Sequence, residues 1–183
     1  MPDYKRKCRE AIVAALSDGT TGFNAQLGSI SQDYQIAAFA LDFGTGSRNV
    51  VYGYLDDEEV DISTIFEFPG AIIYSTESVN ERKVKPARFS GFVNLFIVIY
   101  LRYRRFDDGD TQVNQPDFDN DFEKWPDAVE DAMSSALEGG RSIISGLGVN
   151  YENYRADRGP VQSIGDGHTQ AVTFTLGMVV HVQ

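Results

Sequence analysis

The sequence predicts an α+β fold: a mainly antiparallel sheet with an N-terminal helix and a second amphipathic helix packed on it, plus an inserted hairpin. Three observations predict it. Residues 91–104 alternate side chains over a long strand-like run. A second alternating run closes the chain, with Val172, Phe174, Leu176, Met178, Val180 and Val182 on one face. Between them, residues 122–137 carry apolar residues at helical spacing. Long strands without regular strand–helix–strand alternation argue against a parallel, doubly wound sheet.

The 183 residues suit one domain over 1–183, with residues 24–62 read as an inserted hairpin and acidic loop. Hydrophobic residues make up 42% and aromatic residues 12%, which supplies a core and sets the chain apart from disordered sequences. The single cysteine, Cys8, excludes an internal disulfide scaffold. It reads as a small apolar residue on a helix.

Taken in order, Tyr4, Cys8, Ala11, Ile12, Ala15 and Leu16 share one helical face, and basic residues hold much of the other. Ser17-Asp18-Gly19 closes this helix. Lys5, Arg6, Lys7 and Arg9 precede an apolar run too short for a secretion signal. Residues 23–30 form either a short helix or a loop packed by Phe23 and Leu27. Residues 36–42 and 50–55 are two β-like runs around Gly44-Thr45-Gly46-Ser47, and together they predict a hairpin. Asp56-Asp57-Glu58-Glu59 follows as an acidic loop.

Residues 64–75 read as a strand broken at Phe68-Pro69-Gly70, because proline cannot donate to a ladder. Residues 71–74 are its best portion, and residues 81–88 form a basic connector. In the long strand, Val93, Leu95, Ile97, Ile99, Leu101 and Tyr103 make an almost wholly apolar face. That face must meet helices or another sheet. The longest apolar stretch, residues 92–101, is far too short to span a membrane.

Residues 107–121 form an acidic loop. In the helix that follows, Phe122, Trp125, Val129, Ala132, Met133, Ala136 and Leu137 share a stripe. Pro126 suits a first turn, Asp127, Glu130 and Asp131 favour the positive end of the dipole, and Gly139-Gly140 ends the helix. Residues 143–154 read as a short strand with irregular flanks, and residues 155–167 as a polar connector.

No constellation carries catalysis or a cofactor. Gly44-x-Gly46 lacks the third glycine of a dinucleotide fingerprint, since Asn49 stands there. Asp117-x-Asp119-x-Asp121 begins like a calcium loop, but Phe122 and Ala128 occupy its glycine and bidentate-carboxylate positions. His168 and His181 have no second histidine or cysteine at metal-ligand spacing, and no nucleophile elbow is present.

Charge is the more telling signal. The net charge of −11 disfavours general phosphate binding, which rests on Lys and Arg. The charges also segregate. Arg82, Lys83, Lys85, Arg88, Arg102, Arg104 and Arg105 form a basic stretch. Asp107, Asp108, Asp110, Asp117, Asp119 and Asp121 form an acidic one, extended by Glu123, Asp127, Glu130 and Asp131. They are either two solvated surfaces paired within one subunit, or the two sides of a head-to-tail contact between copies. In a head-to-tail contact these charges would set register and partner choice.

The order of segments resembles the tail terminator (tail completion) proteins of long-tailed bacteriophages. The short helix comes first, then "FPGAIIYS" at 68–75 and the long strand "FVNLFIVIYLRY" at 92–103. The acidic helix "DFEKWPDAVEDAMSSAL" at 121–137, the segment "VNYENYRADRGP" at 149–160 and the strand "TQAVTFTLGMVVHV" at 169–182 complete it. The resemblance covers residues 4–16 and 64–182; residues 24–62 depart from the shorter members.

The resemblance implies a structural virion protein without catalysis or cofactors, built as a homohexameric ring at the head-proximal end of the tail. Such a ring stops tube polymerisation and joins the tail tube protein to head-completion or neck proteins. Genomic DNA passes through its hole without specific binding, past an acidic lining that repels phosphate. The expected location is the virion, with the host cytoplasm during assembly, and no membrane is involved. Related fold plans serve other neck parts, namely a head–tail connector or stopper, and the tail tube subunit. A small hydrolase is the remaining, less favoured alternative.

Overall fold

The structure is a computed structural model describing residues 4–44, 46–53, 67–77, 82–83, 89–103, 123–164 and 167–181. It is α+β, as the sequence predicts, with one mostly antiparallel sheet. The helices are α1 (Tyr4–Leu16), α2 (Phe23–Tyr34), α3 (Lys124–Gly139) and α4 (Arg141–Gly146). The strands are β1 (Val50–Tyr52), β2 (Gly70–Glu77), β3 (Arg82–Lys83), β4 (Phe89–Tyr103), β5 (Val149–Arg158), β6 (Gln162–Ile164) and β7 (Gly167–His181). The sheet runs β1-β2-β4-β7-β5, with β3 added on β4 and β6 on β7.

The two long strands pair with each other, antiparallel from Ser90↔His181 to Tyr103↔His168. Their alternation sets the layers. Val93, Leu95, Ile97, Ile99, Leu101 and Tyr103 of β4 are buried with Val172, Phe174, Leu176, Met178 and Val180 of β7. They meet Cys8, Ala11, Ile12, Ala15 and Leu16 of α1, and Trp125, Val129, Ala132 and Met133 of α3. The hydrophobic effect thus gathers both helical stripes onto one sheet face. Helix α1 lies across β2, β4, β7 and β5, and α2 packs along α3.

Helix ends follow local chemistry. Asp18 closes the α1–α2 link: its Oδ1 accepts from the N–H groups of Thr20 (2.9 Å) and Thr21 (2.7 Å) and from Thr21 Oγ1 (2.9 Å). Hydrogen bonds to the charged form hold this carboxyl below its ordinary value. A depressed folded-state value stabilises the fold above the unfolded value of about 4, and that contribution disappears as pH falls through the folded value. Asp18→Asn is therefore expected to lose less stability than wild type between pH 7 and pH 3. Paired urea titrations at the two pH values check this; equal losses would contradict it.

Four sequence expectations are decided by particular contacts. Residues 23–30, open between helix and loop, lie in the longer helix α2. The hairpin predicted from residues 36–42 and 50–55 does not form. Phe39, Leu41 and Phe43 do alternate inward, but residues 36–43 join no ladder. Two asparagine amides take that role instead. Asn24 donates to Leu41 O and accepts from Leu41 N–H, both at 2.8 Å. Asn49 donates to Ala40 O (2.8 Å) and accepts from Asp42 N–H (3.0 Å). With these four backbone groups met, residues 40–42 need no partner strand. β1 instead pairs in parallel with β2, Val50↔Ala71 to Tyr52↔Ile73.

The predicted strand over residues 143–154 is a short helix followed by β5, because α4 begins at Arg141, just past Gly140, and buries Ile144. The predicted connector over residues 155–167 is largely strand, since β5 extends to Arg158 and β6 pairs back on β7. Pro69 precedes the first residue of β2, where a missing donor costs no ladder bond. The predicted loops at 56–59 and 107–121 lie outside the described residues, as does most of the connector at 81–88.

Trp125 anchors the join of α2, α3 and the segment 36–43. It is 1% exposed and stacks on Phe39 with ring centroids 5.2 Å apart, while Phe39 also touches Phe23. Its Nε1 has no hydrogen-bond partner among the described residues. An unmet buried donor costs about 1–3 kcal/mol, which offsets the packing lost on truncation. Trp125→Phe is expected to change stability by no more than about 1 kcal/mol, and Trp125→Ala to lower it by about 3–5 kcal/mol. Chemical denaturation of both variants checks this; similar losses in the two would show that the indole N–H is satisfied.

Candidate assembly surfaces

The helices cover one sheet face, and the other carries a different set of side chains. Ile72, Tyr74 and Thr76 on β2 stand beside Phe92, Asn94, Phe96, Val98, Tyr100 and Arg102 on β4, by register. Ala171, Thr173, Thr175, Gly177 and Val179 continue the face on β7. Tyr74 and Phe96 stack with centroids 4.9 Å apart. Ile72 and Val98 are buried, yet stand apart from the helix-side core. Burial raises the Tyr74 hydroxyl, and burial together with Tyr74 raises that of Tyr100. Gly177 leaves room for Phe92, whose ring would lie 3.0 Å from a Cβ at that position. The result is a half-buried aromatic surface with a threonine strip.

The sequence-predicted charges fare unevenly. Arg102 stands on this second face, with its guanidinium 5.6 Å from the centroid of the Phe68 ring. That geometry permits a cation–π attraction of about 0.5–1 kcal/mol at a surface site. Arg82 and Lys83 form β3, in register with Ser90 and Phe89. Lys85, Arg88, Arg104, Arg105, Asp107, Asp108, Asp110, Asp117, Asp119 and Asp121 lie outside the described residues.

Pairing within one subunit does occur, through a residue the charge reading did not single out. Arg158, on β5, binds the carboxylates of Asp127 and Glu130 on α3. The hydrogen bond to Glu130 is the chief cause of its raised pKa. Tyr34 on α2 donates to Asp131 (2.7 Å), and this bond pushes the Tyr34 hydroxyl up to about 12. The acids of the first turns of α3 thus tie α2, α3 and the sheet edge together. Helical spacing places Asp127, Glu130 and Asp131 near one another, but only the fold brings Arg158 and Tyr34 to them.

At the far end of the sheet, Tyr103 donates to Gln170 Oε1 (2.9 Å), and Gln170 Nε2 donates to Gly159 O (3.1 Å). Ser163 Oγ lies 3.0 Å from His168 Nδ1 across the β6–β7 hairpin. Both groups are at the surface, where water competes for them, so this contact stitches the hairpin. The Cys8 thiol is pushed up to about 12, first by burial, which leaves no reactive thiolate near neutral pH. Among the described residues no group of three or more His, Cys, Asp or Glu could hold a metal ion, and no helix is long and apolar enough to cross a membrane.

No protein-family model matches the chain, and no curated protein matches it.

Proposed function

We propose that the chain is a structural, ring-forming tail terminator of a long-tailed phage. It caps the head-proximal end of the tail tube, stops tube growth and forms the joint to head-completion or neck proteins. The observation that carries this reading is the order of elements. A short N-terminal helix, a proline-led strand, a long strand, an acidic amphipathic helix and a Thr-rich terminal strand follow in the family's sequence.

The layer arrangement supports it. The described helices pack on one face of the sheet, and β5 ends the strand order on one side, where a further subunit could meet it. The polar clusters of Tyr34 with Asp131, Tyr103 with Gln170 and Arg158 with Asp127 and Glu130 bind elements to one another, which suits a structural part. A net charge of −11 suits a conduit along which DNA slides, because like charges repel the phosphate backbone.

The test is particle morphology in phage lacking the protein. Termination predicts overlong or headless tails, restored to normal length when the protein is supplied. Filled heads that leak DNA would instead assign it to a stopper. Complete absence of tails would assign it to the tube itself.

A further inference from the structure

We propose that two copies of this chain pair through their β5 edges, antiparallel, about a twofold axis at Ala156. Among the described residues no strand lies beyond β5. Asn153, Tyr154, Arg155 and Arg158 are exposed, and the Arg155 side chain keeps 75% of its surface. An open edge carries a row of unpaired N–H and C=O groups, and a strand from another chain is what pairs with them.

The backbone decides which groups those are. Gly159 N–H donates to Ala171 O at 2.8 Å. Inward and outward bonding alternate along an antiparallel strand, so Asp157 and Arg155 also bond inward, to Thr173 and Thr175 of β7. Tyr154, Ala156 and Arg158 therefore turn their N–H and C=O groups out to the edge.

Charge then selects the register. An axis at Arg155 or at Asp157 would set two like charges face to face, which is destabilising. An axis at Arg158 would set Pro160, which has no N–H, against Ala156. An axis at Ala156 sets Arg155 opposite Asp157 of the second copy, and Asp157 opposite Arg155 of the second copy. Both are non-hydrogen-bonded pairs, where facing side chains come closest. Arg155 already binds Asp157 of its own chain, Nη2 to Oδ1 at 2.7 Å. Pairing turns these into a closed square of alternating charges, and a network is worth more than an isolated surface ion pair. On the helix side, Tyr154 comes opposite Arg158 of the second copy, a cation already held in place by Asp127 and Glu130.

The ends of the window match. The β5 register shifts between Tyr151 and Asn153, around Glu152. Glu152 and Pro160 lie equally far from Ala156, so both limits of the ladder fall together. The paired window is residues 153–159, about 23 Å long. Each copy carries a net charge of −11, so mutual repulsion keeps the pair weak and reversible. The contact is symmetric and closes on itself, which separates it from the contact between unlike surfaces that a one-way ring needs.

The experiment is sedimentation velocity on the full chain over a concentration series, with unfolding midpoints to confirm that each variant is folded. Wild type is expected to show a reversible monomer–dimer equilibrium. Arg155→Asp sets acid against acid and Asp157→Arg base against base, so each alone is expected to pair at least about tenfold more weakly. An equimolar mixture of the two restores both opposite-charge pairs and is expected to form a heterodimer. The double exchange of Arg155→Asp with Asp157→Arg restores them within one sequence and is expected to pair like wild type. Dimers unchanged in both single variants, or single variants that stay apart when mixed, would overturn this register. A wild type that is monomeric at every concentration below ring formation would overturn the pairing and leave the ring reading standing. Dimers that follow the charge pattern while no ring forms would uphold the pairing and count against the ring reading.

Discussion

Phe174→Ala is expected to lower the free energy of unfolding by about 3–5 kcal/mol, the range for emptying a fully packed aromatic site. Phe174 is 0% exposed at the middle of β7. It pairs with Ile97 of β4 on one side and Ala156 of β5 on the other. Tyr154 covers it, with ring centroids 6.1 Å apart. The three strands are hydrogen-bonded on both sides of it and cannot collapse into the cavity, which places the loss at the upper end. A shift in urea midpoint with an unchanged slope would report this as stability alone. A loss under about 1 kcal/mol would mean that the helices do not pack on this face.

Gly22→Ala is expected to cost about 2–3 kcal/mol, the upper part of the range for forcing an extra methyl into a packed site. The backbone of Gly22 is ordinary extended chain, with φ −73° and ψ 173°, so the cost is purely steric. A Cβ there would stand 2.3 Å from Asp18 O and 2.5 Å from Leu16 O. Both are backbone atoms of a turn held by the Gly22 N–H donating to Asp18 O at 2.9 Å. They cannot swing aside as a side chain would. Gly19 is the internal control, because a Cβ there meets nothing within 4 Å. Gly19→Ala should stay within about 0.5 kcal/mol of wild type. Equal losses at the two glycines would show that the turn gives way.

The fold was legible where one period ran long enough to fix a face. In β4 and β7, alternation over many residues named the buried side chains, and in α1 and α3 the helical stripe did the same. It failed where a short run could satisfy its backbone in another way. Phe39, Leu41 and Phe43 alternate as a strand would, but Asn24 and Asn49 supply the hydrogen bonds that a neighbouring strand would have given. Nothing in the local sequence distinguishes an asparagine that reaches 17 residues along the chain from one in a turn. The parallel pairing of β1 with β2 was hidden for a related reason, since three residues carry too little pattern to set a register.

The candidate surfaces were legible in part. The segregated charges were plain in the sequence, and so was the second face of β4. Arg158 was not, because an arginine in a polar stretch gives no sign that it will clamp Asp127 and Glu130 from a neighbouring layer. Tyr74 and Phe96 read as ordinary strand residues until the register set them side by side on the second face.

The measurement that bears most directly on the central claim is electron microscopy of the purified wild-type protein at high concentration, paired with its sedimentation coefficient. Closed rings of one defined order around an open channel, six subunits by the family resemblance, are the predicted result. A single slow-sedimenting species with no rings at any concentration, from protein that is fully folded, would contradict it.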